Sequence, residues 1–126
     1  MPMIRRLIYI SRVARSVRFQ DAELIAEKAI ASNQQAGLTG LLLYTPSHFI
    51  QVLEGPDDTL SATVARIAND PRHTALRVLD DRPVAAREFG EWAMVAKLYA
   101  APSDHLAQLD GEAALALLRR VRDALS

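Results

Sequence analysis

Read from the N-terminus, the chain alternates between two kinds of apolar spacing. Ile4–Ser11 (IRRLIYIS) is β-branched and aromatic and predicts a strand. Its side chains divide by parity, with Leu7, Tyr9 and Ser11 on one face and Ile8 and Ile10 on the other. Ser16–Phe19 reads as a connector. The spacing then becomes helical over Gln20–Asn33, where Ala22, Ile25, Ala26, Ala29 and Asn33 form one stripe and Glu23, Glu27 and Lys28 lie off it. Asp21 suits a cap or first-turn acid, and Gly37 a stop signal. Leu38–Tyr44 (LTGLLLY) is a nearly continuous apolar strand. The turn residues TPSH lead into His48–Gly55 (HFIQVLEG), which returns antiparallel as a hairpin.

A second helix is predicted from Asp57 to Asn69. Asp57, Asp58 and Thr59 offer capping groups, and Leu60, Val64, Ile67 and Ala68 form the stripe. Pro71 ends it. Two strands follow, Leu76–Asp80 and Trp92–Tyr99, the latter with Trp92, Met94 and Ala96 on one face. Asp110–Leu125 closes the chain as a helix whose stripe is Ala114, Leu117, Leu118, Val121 and Leu125. Arg119 and Arg120 lie off that stripe and are expected to face water. The order predicts an α+β fold: a ferredoxin-like βαββαββ sandwich with a C-terminal helix covering the other sheet face. Residues 1–100 are expected to form the main domain and 101–126 a C-terminal helical extension.

Composition narrows the function. With 126 residues, half of them hydrophobic, the chain suits one domain with a real core. Fifteen Lys and Arg balance fifteen Asp and Glu, which argues against a basic nucleic-acid-binding face. There is no cysteine, hence no disulfide or thiol chemistry. The N-terminal apolar run, unbroken only from Leu7 to Ile10, is too short for a signal peptide or membrane span. A cytoplasmic protein engaging neither nucleic acid nor membrane is expected. No metal-ligand spacing, nucleophile elbow or P-loop is present, so no enzyme is predicted. The loop RVARSVRF has arginines but no glycine to close the backbone around an anion, against a phosphatase of this fold. The central strands lack stacking aromatics for RNA.

One residue poses a question. Gln51 lies between Phe49 and Leu53 on a face that strand alternation buries. A buried carboxamide has two donors and an acceptor to satisfy, and each stranded group costs about 1–3 kcal/mol. Tyr9, on a neighbouring strand of a ferredoxin-like sheet, can supply one bond, but Gln51 has capacity for more. The first helix lays mostly alanine over this region, which leaves space unless it packs very close. Either bulky sheet residues fill that space or a flat, non-protein group does. With Asn33 crowding the same side, the second reading describes a pocket for a polar, planar ligand.

The segments RLIYIS, LTGLLLY, FIQVLEG, RIANDPRH and FGEWAM, in this order and spacing, resemble the BLUF family of flavin-based blue-light sensors from Arg6 to Ala96. The resemblance implies a flavin, normally FAD, held between the two helices with its ring edge toward the central strands. It makes Tyr9 the donor of an electron and proton to the excited flavin, and Gln51 the glutamine between Tyr9 and the ring. Asn33 is then the asparagine on the ring's polar edge. Trp92 and Met94 become the pair whose position near the ring is linked to signalling. Arg66 and His73 fall near the cofactor, and Ile25, Ser32 and Asp70 complete the expected cofactor-binding set. Ser32 stands where many members have a second asparagine, and its hydroxyl is shorter. The implied function is a blue-light photoreceptor signalling to a downstream effector protein or through self-association as a homo-oligomer. The alternative is a cofactor-free ferredoxin-like protein-interaction domain in which the Tyr9–Gln51 contact is only structural.

Overall fold

The computed structural model describes residues 3–90 (Phe19 by its backbone alone), the backbone of 93–97, residue 106 and residues 108–125. Its elements are β1 (Ile4–Val13), α1 (Phe19–Gln35), β2 (Thr39–Tyr44), β3 (His48–Pro56), α2 (Asp57–Ala68), β4 (His73–Val84), β5 (Ala93–Lys97) and α3 (Gly111–Leu125). The strands lie in the order β4-β1-β3-β2-β5. The first four pair antiparallel, and β5 joins β2 in parallel. This is the expected ferredoxin-like α+β sheet with one added strand.

Local chemistry fixes the boundaries. α1 ends in a Schellman motif, with Gly37 at φ 80 and the Leu38 N–H donating to the Asn33 carbonyl at 2.9 Å. The β2–β3 turn is held by Thr45 Oγ1, which accepts from the backbone N–H groups of Ser47 (3.1 Å) and His48 (3.0 Å). β4 is longer than the five residues expected. It starts at His73 and runs to Val84 because β1 offers it a backbone partner along its whole length, from Val13 to Ile4. As an edge strand it is largely exposed, so no apolar run announces it. Two register shifts against β1, a positive φ at Ala75, and Pro83 blunt that edge against further pairing.

The sheet has a core on each face. α1 and α2 cover Leu7, Tyr9, Leu42, Phe49 and Leu53. α3 covers Ile8, Ile10, Leu41, Leu43, Ile50 and Val52 with Ala114 and Leu118, as expected for the second face. α2 is rotated slightly from expectation. Ala68 is exposed and Thr63 is buried, because the inward line runs through Leu60, Thr63 and Ile67. The Thr63 hydroxyl remains satisfied by the Thr59 carbonyl at 2.9 Å. α3 begins close to β4: a Cβ on Gly111 would lie 2.3 Å from the Leu79 carbonyl oxygen, so only glycine allows the approach. Arg119 departs from expectation too. It does not simply face water, but binds Glu88 through two hydrogen bonds of 2.7 Å.

Candidate functional site

The antiparallel register sets Tyr9 directly opposite Gln51 on the two central strands. Cross-strand neighbours on one face have side chains within reach, and the Tyr9 hydroxyl donates to Gln51 Oε1 at 2.7 Å. Both residues are fully buried. Burial pushes the Tyr9 phenol well above its ordinary value, so it is neutral across physiological pH. The Gln51 amide nitrogen, by contrast, is buried without a hydrogen-bond partner.

The alanine stripe of α1 divides into two stretches. Ala22 and Ala26 sit tight against Leu42, Tyr44 and Phe49, so there bulky sheet residues fill the space. Toward the helix C-terminus, Ile25, Ala29, Ser32 and Asn33 instead face α2 across a cavity of about 210 Å³. Ile67 and Arg66 of α2 and Asp70, Arg72 and His73 beyond it form the opposite wall. Asn33 is buried, and its Nδ2 has no hydrogen-bond partner. The expected cofactor-binding residues Ile25, Ser32, Asn33, Arg66, Asp70 and His73 thus line one cavity. Tyr9 and Gln51 lie in the sheet and are joined to that wall through His73. Trp92 lies outside the described residues. Met94 is described by its backbone, which registers opposite Leu41 in β5.

His73 links the cavity to the sheet. Its Nδ1 is 2.9 Å from Ser11 Oγ, its ring packs on Phe49 with centroids 4.6 Å apart, and it meets Tyr9 edge-on at 6.5 Å. Burial lowers its pKa, Asp70 opposing and Arg72 reinforcing, so the ring is neutral at pH 7 and can donate from one nitrogen and accept at the other. Asp70 is held down to about 2 by its hydrogen bonds from Arg72. That pair closes an Asx turn, with the Arg72 N–H donating to Asp70 Oδ1 at 2.9 Å. Arg66 Nη2 reaches Ser32 Oγ at 3.4 Å.

Sequence reasoning missed Lys28 and Arg72 as cavity residues, and missed the Ser11–His73 bond. The Asp-Pro-Arg turn could have pointed to Arg72. Ser11 shares the Tyr9 face, yet nothing local says that His73 reaches it from β4.

These residues fit a flavin. Two buried carboxamide nitrogens need acceptors, and an isoalloxazine rim supplies carbonyl oxygens and imine nitrogens. The cavity alone falls below the ~300–1,000 Å³ usual for ligand pockets. An adjoining hollow of about 400 Å³ shares Ile25, Lys28 and Arg72 with it, and extends the space beside two cationic side chains. Among the described residues no cluster could hold a metal ion, and no helix is long and apolar enough to cross a membrane.

Comparison with known proteins gives relatives of one kind. The photoactivated adenylate cyclase subunit alpha of Euglena gracilis is 39% identical over 94 residues, covering 72% of this chain and 9% of the relative. The blue light- and temperature-regulated antirepressor BluF of Escherichia coli is 35% identical over 92 residues, covering 73% of this chain and 23% of the relative. The chain therefore spans only a small part of these curated relatives. The dark-state structure of BlrB, a BLUF protein, superposes with a TM-score of 0.80 at 30% identity, covering 100% of this chain and 99% of that one. A family model for sensors of blue light using FAD matches residues 4–95, and the chain belongs to the BLUF family of blue-light sensors.

Proposed function

We propose that this chain is a blue-light photoreceptor in which electron and proton transfer from Tyr9 to a flavin at the α1–α2 cavity rearranges the hydrogen bonds of Gln51. The observation that carries this reading is the Gln51 carboxamide, whose oxygen is engaged by Tyr9 and whose nitrogen is buried without a partner. When bound, the flavin supplies light absorption and the acceptor for an electron and a proton. Tyr9 starts neutral, so it gives up both together. Gln51 is suited to record the event, because rotating or tautomerising its amide exchanges donor and acceptor without moving the backbone. Asn33, Ser32, Arg66, Asp70 and His73 would hold and orient the ring, and Lys28 and Arg72 at the adjoining hollow would suit an anionic tail, which favours FAD over a tail-less flavin. The two stranded carboxamide donors weigh against a cofactor-free interaction domain.

One rearranged hydrogen bond contributes only about 1 kcal/mol, so the output requires a nearly balanced two-state element. β5, which carries Met94 and follows Trp92 in the sequence, is that element. The flavin-binding unit spans 1–100. The helical extension over 101–126 passes the change to an effector protein or to a second copy of the chain. Relatives named as adenylate cyclase and antirepressor illustrate such outputs. A visible spectrum before and after blue illumination tests the reading. Yellow protein with a reversible red shift is expected, and Tyr9→Phe and Gln51→Leu, each with saturating flavin, carry the flavin but lose the shift. A preparation that stays colourless with added FAD, or a variant that photocycles normally, refutes it.

A further inference from the structure

The face of the sheet away from the cavity holds a second buried polar group, and the photochemistry makes no use of it. Glu54 is fully buried three residues beyond Gln51 on β3, on the α3 side. Both carboxylate oxygens accept backbone N–H groups from the β4–β5 connection: Oε2 from Glu88 at 3.0 Å and Oε1 from Phe89 at 2.6 Å. Arg87 clasps the same connection from outside, donating to Thr39 Oγ1 (2.9 Å), the Gly37 carbonyl (2.9 Å) and the Glu54 carbonyl (3.2 Å). Phe89 is anchored in the α3-side core, with the Arg122 guanidinium 5.1 Å above its ring. Glu88 then turns outward and takes hydrogen bonds from Arg119 and Arg122 of α3, while Arg6 approaches it at 3.6 Å.

A fully buried carboxylate is costly unless it is well bonded, and two charge-assisted bonds to adjacent backbone amides make a rigid anchor. The anchored residues end only a few positions before β5, an edge strand that ladders with β2 and packs against α1. Where the connection is fixed, the seating of β5 is fixed with it. The neighbouring side chain at Glu88 attaches α3 to the same connection, within its described part, 85–90.

We propose that Glu54 is a positioning residue, whose carboxylate clamps the 85–90 connection and so sets how β5 seats on β2, and that Glu88 ties this seating to α3. The light-dependent part of this inference rests on the proposed function, and its dark-state part does not. Glu54→Gln keeps the shape but sets an amide NH₂ against one of two backbone donors.

The test is hydrogen exchange on the full chain, in the dark and under blue light, together with emission from Trp92, the chain's single tryptophan. In the dark, Glu54→Gln is expected to lose protection at the amides of 88, 89 and 93–97 while β1 and β3 keep theirs. Under light it is expected to retain the flavin red shift but lose the light-induced changes in Trp92 emission and α3 exchange. Glu88→Gln is expected to loosen α3 alone, leaving 93–97 protected. Uniform loss of protection throughout the sheet would make Glu54 merely structural and overturn the proposal. So would an unchanged Trp92 response in a variant whose 93–97 amides are released. Should Glu54→Gln not fold, Arg87→Gln loosens the same connection from its exposed side and is read identically. If the native chain itself shows no red shift, the photoreceptor reading fails, while the dark exchange pattern still decides the clamp.

Discussion

Gln51→Leu is the sharpest perturbation, because its cost should depend on whether flavin is present. Protein contacts alone give the Gln51 oxygen the Tyr9 hydroxyl at 2.7 Å and give the buried amide nitrogen no partner. Leucine strands the Tyr9 hydroxyl at about 1–3 kcal/mol, but relieves the buried nitrogen by a similar amount. These terms nearly cancel, and the flavin-free variant should unfold within about 1 kcal/mol of the parent. With flavin bound, the nitrogen is already satisfied and the relief disappears. The cost then rises by about 1–3 kcal/mol, which by linkage is about 5–150-fold weaker flavin binding. Tyr9→Phe serves as the control. It strands the Gln51 oxygen in both forms and should cost about 1–3 kcal/mol in each. Urea unfolding with and without saturating flavin, paired with a flavin titration, reads these quantities directly. An equal cost for Gln51→Leu in both forms, with unchanged flavin affinity, would mean that the stranded nitrogen does not face the ring.

Two further outcomes follow from the α3 side. Glu88 is held down to about 2, chiefly by Arg119 with Arg122 adding to it, against an ordinary value of 4.5. A carboxylate depressed on folding adds stability above its unfolded pKa and loses it as pH falls through the folded one. The urea-midpoint advantage of the native chain over Glu88→Gln should therefore be full at neutral pH and shrink between pH 4.5 and about 2. Because Glu88 is partly exposed the advantage is small, and a gap that stays constant across that window contradicts the ion cluster. Gly111→Ala should destabilise the α3 docking by about 1–3 kcal/mol, since the added carbon meets the Leu79 carbonyl oxygen at 2.3 Å. Faster amide exchange confined to α3 checks this, and an unaffected helix contradicts the close approach.

Most of the fold was legible because its elements bury one face each, and burial writes a period into the sequence. β3 shows this: Phe49, Gln51 and Leu53 separated cleanly from Ile50 and Val52, and the structure puts a core on each side. β4 was read short because an exposed edge strand takes its stability from backbone pairing, to which side-chain periodicity is blind. The Tyr9–Gln51 contact was legible because fold class and parity together bring two central strands into register. Ser11–His73 was not, since a contact between residues 62 apart depends on where an irregular turn delivers β4. Arg119 was misread for a related reason: position off an apolar stripe predicts exposure, but says nothing of an acidic partner on another element. Glu54 carried a signal that went unused, a carboxylate at an inward position of a central strand, which must find donors somewhere.

The placement of the two buried polar groups on β3 bears on how a change at Gln51 could travel. β3 is flanked by β1 and β2 with antiparallel ladders on both edges, and a one-residue slip would reverse every side chain between two filled cores. Such a strand cannot slide in response to a rearrangement worth about 1 kcal/mol. β5 is different: five residues long, at the sheet edge, and laddered on one side only. Its restraint comes from β2, from packing against α1, and from the connection that Glu54 clamps. A small bias at the cofactor face can shift the balance of a lightly held edge strand while the central strands stay fixed. In the proposed mechanism the rigidity of β3 is what lets a rearrangement at Gln51 act on β5. It holds Tyr9, Gln51 and Glu54 in constant relation, so that the energy of one rearranged amide is spent on the strand least firmly held rather than dispersed through the sheet.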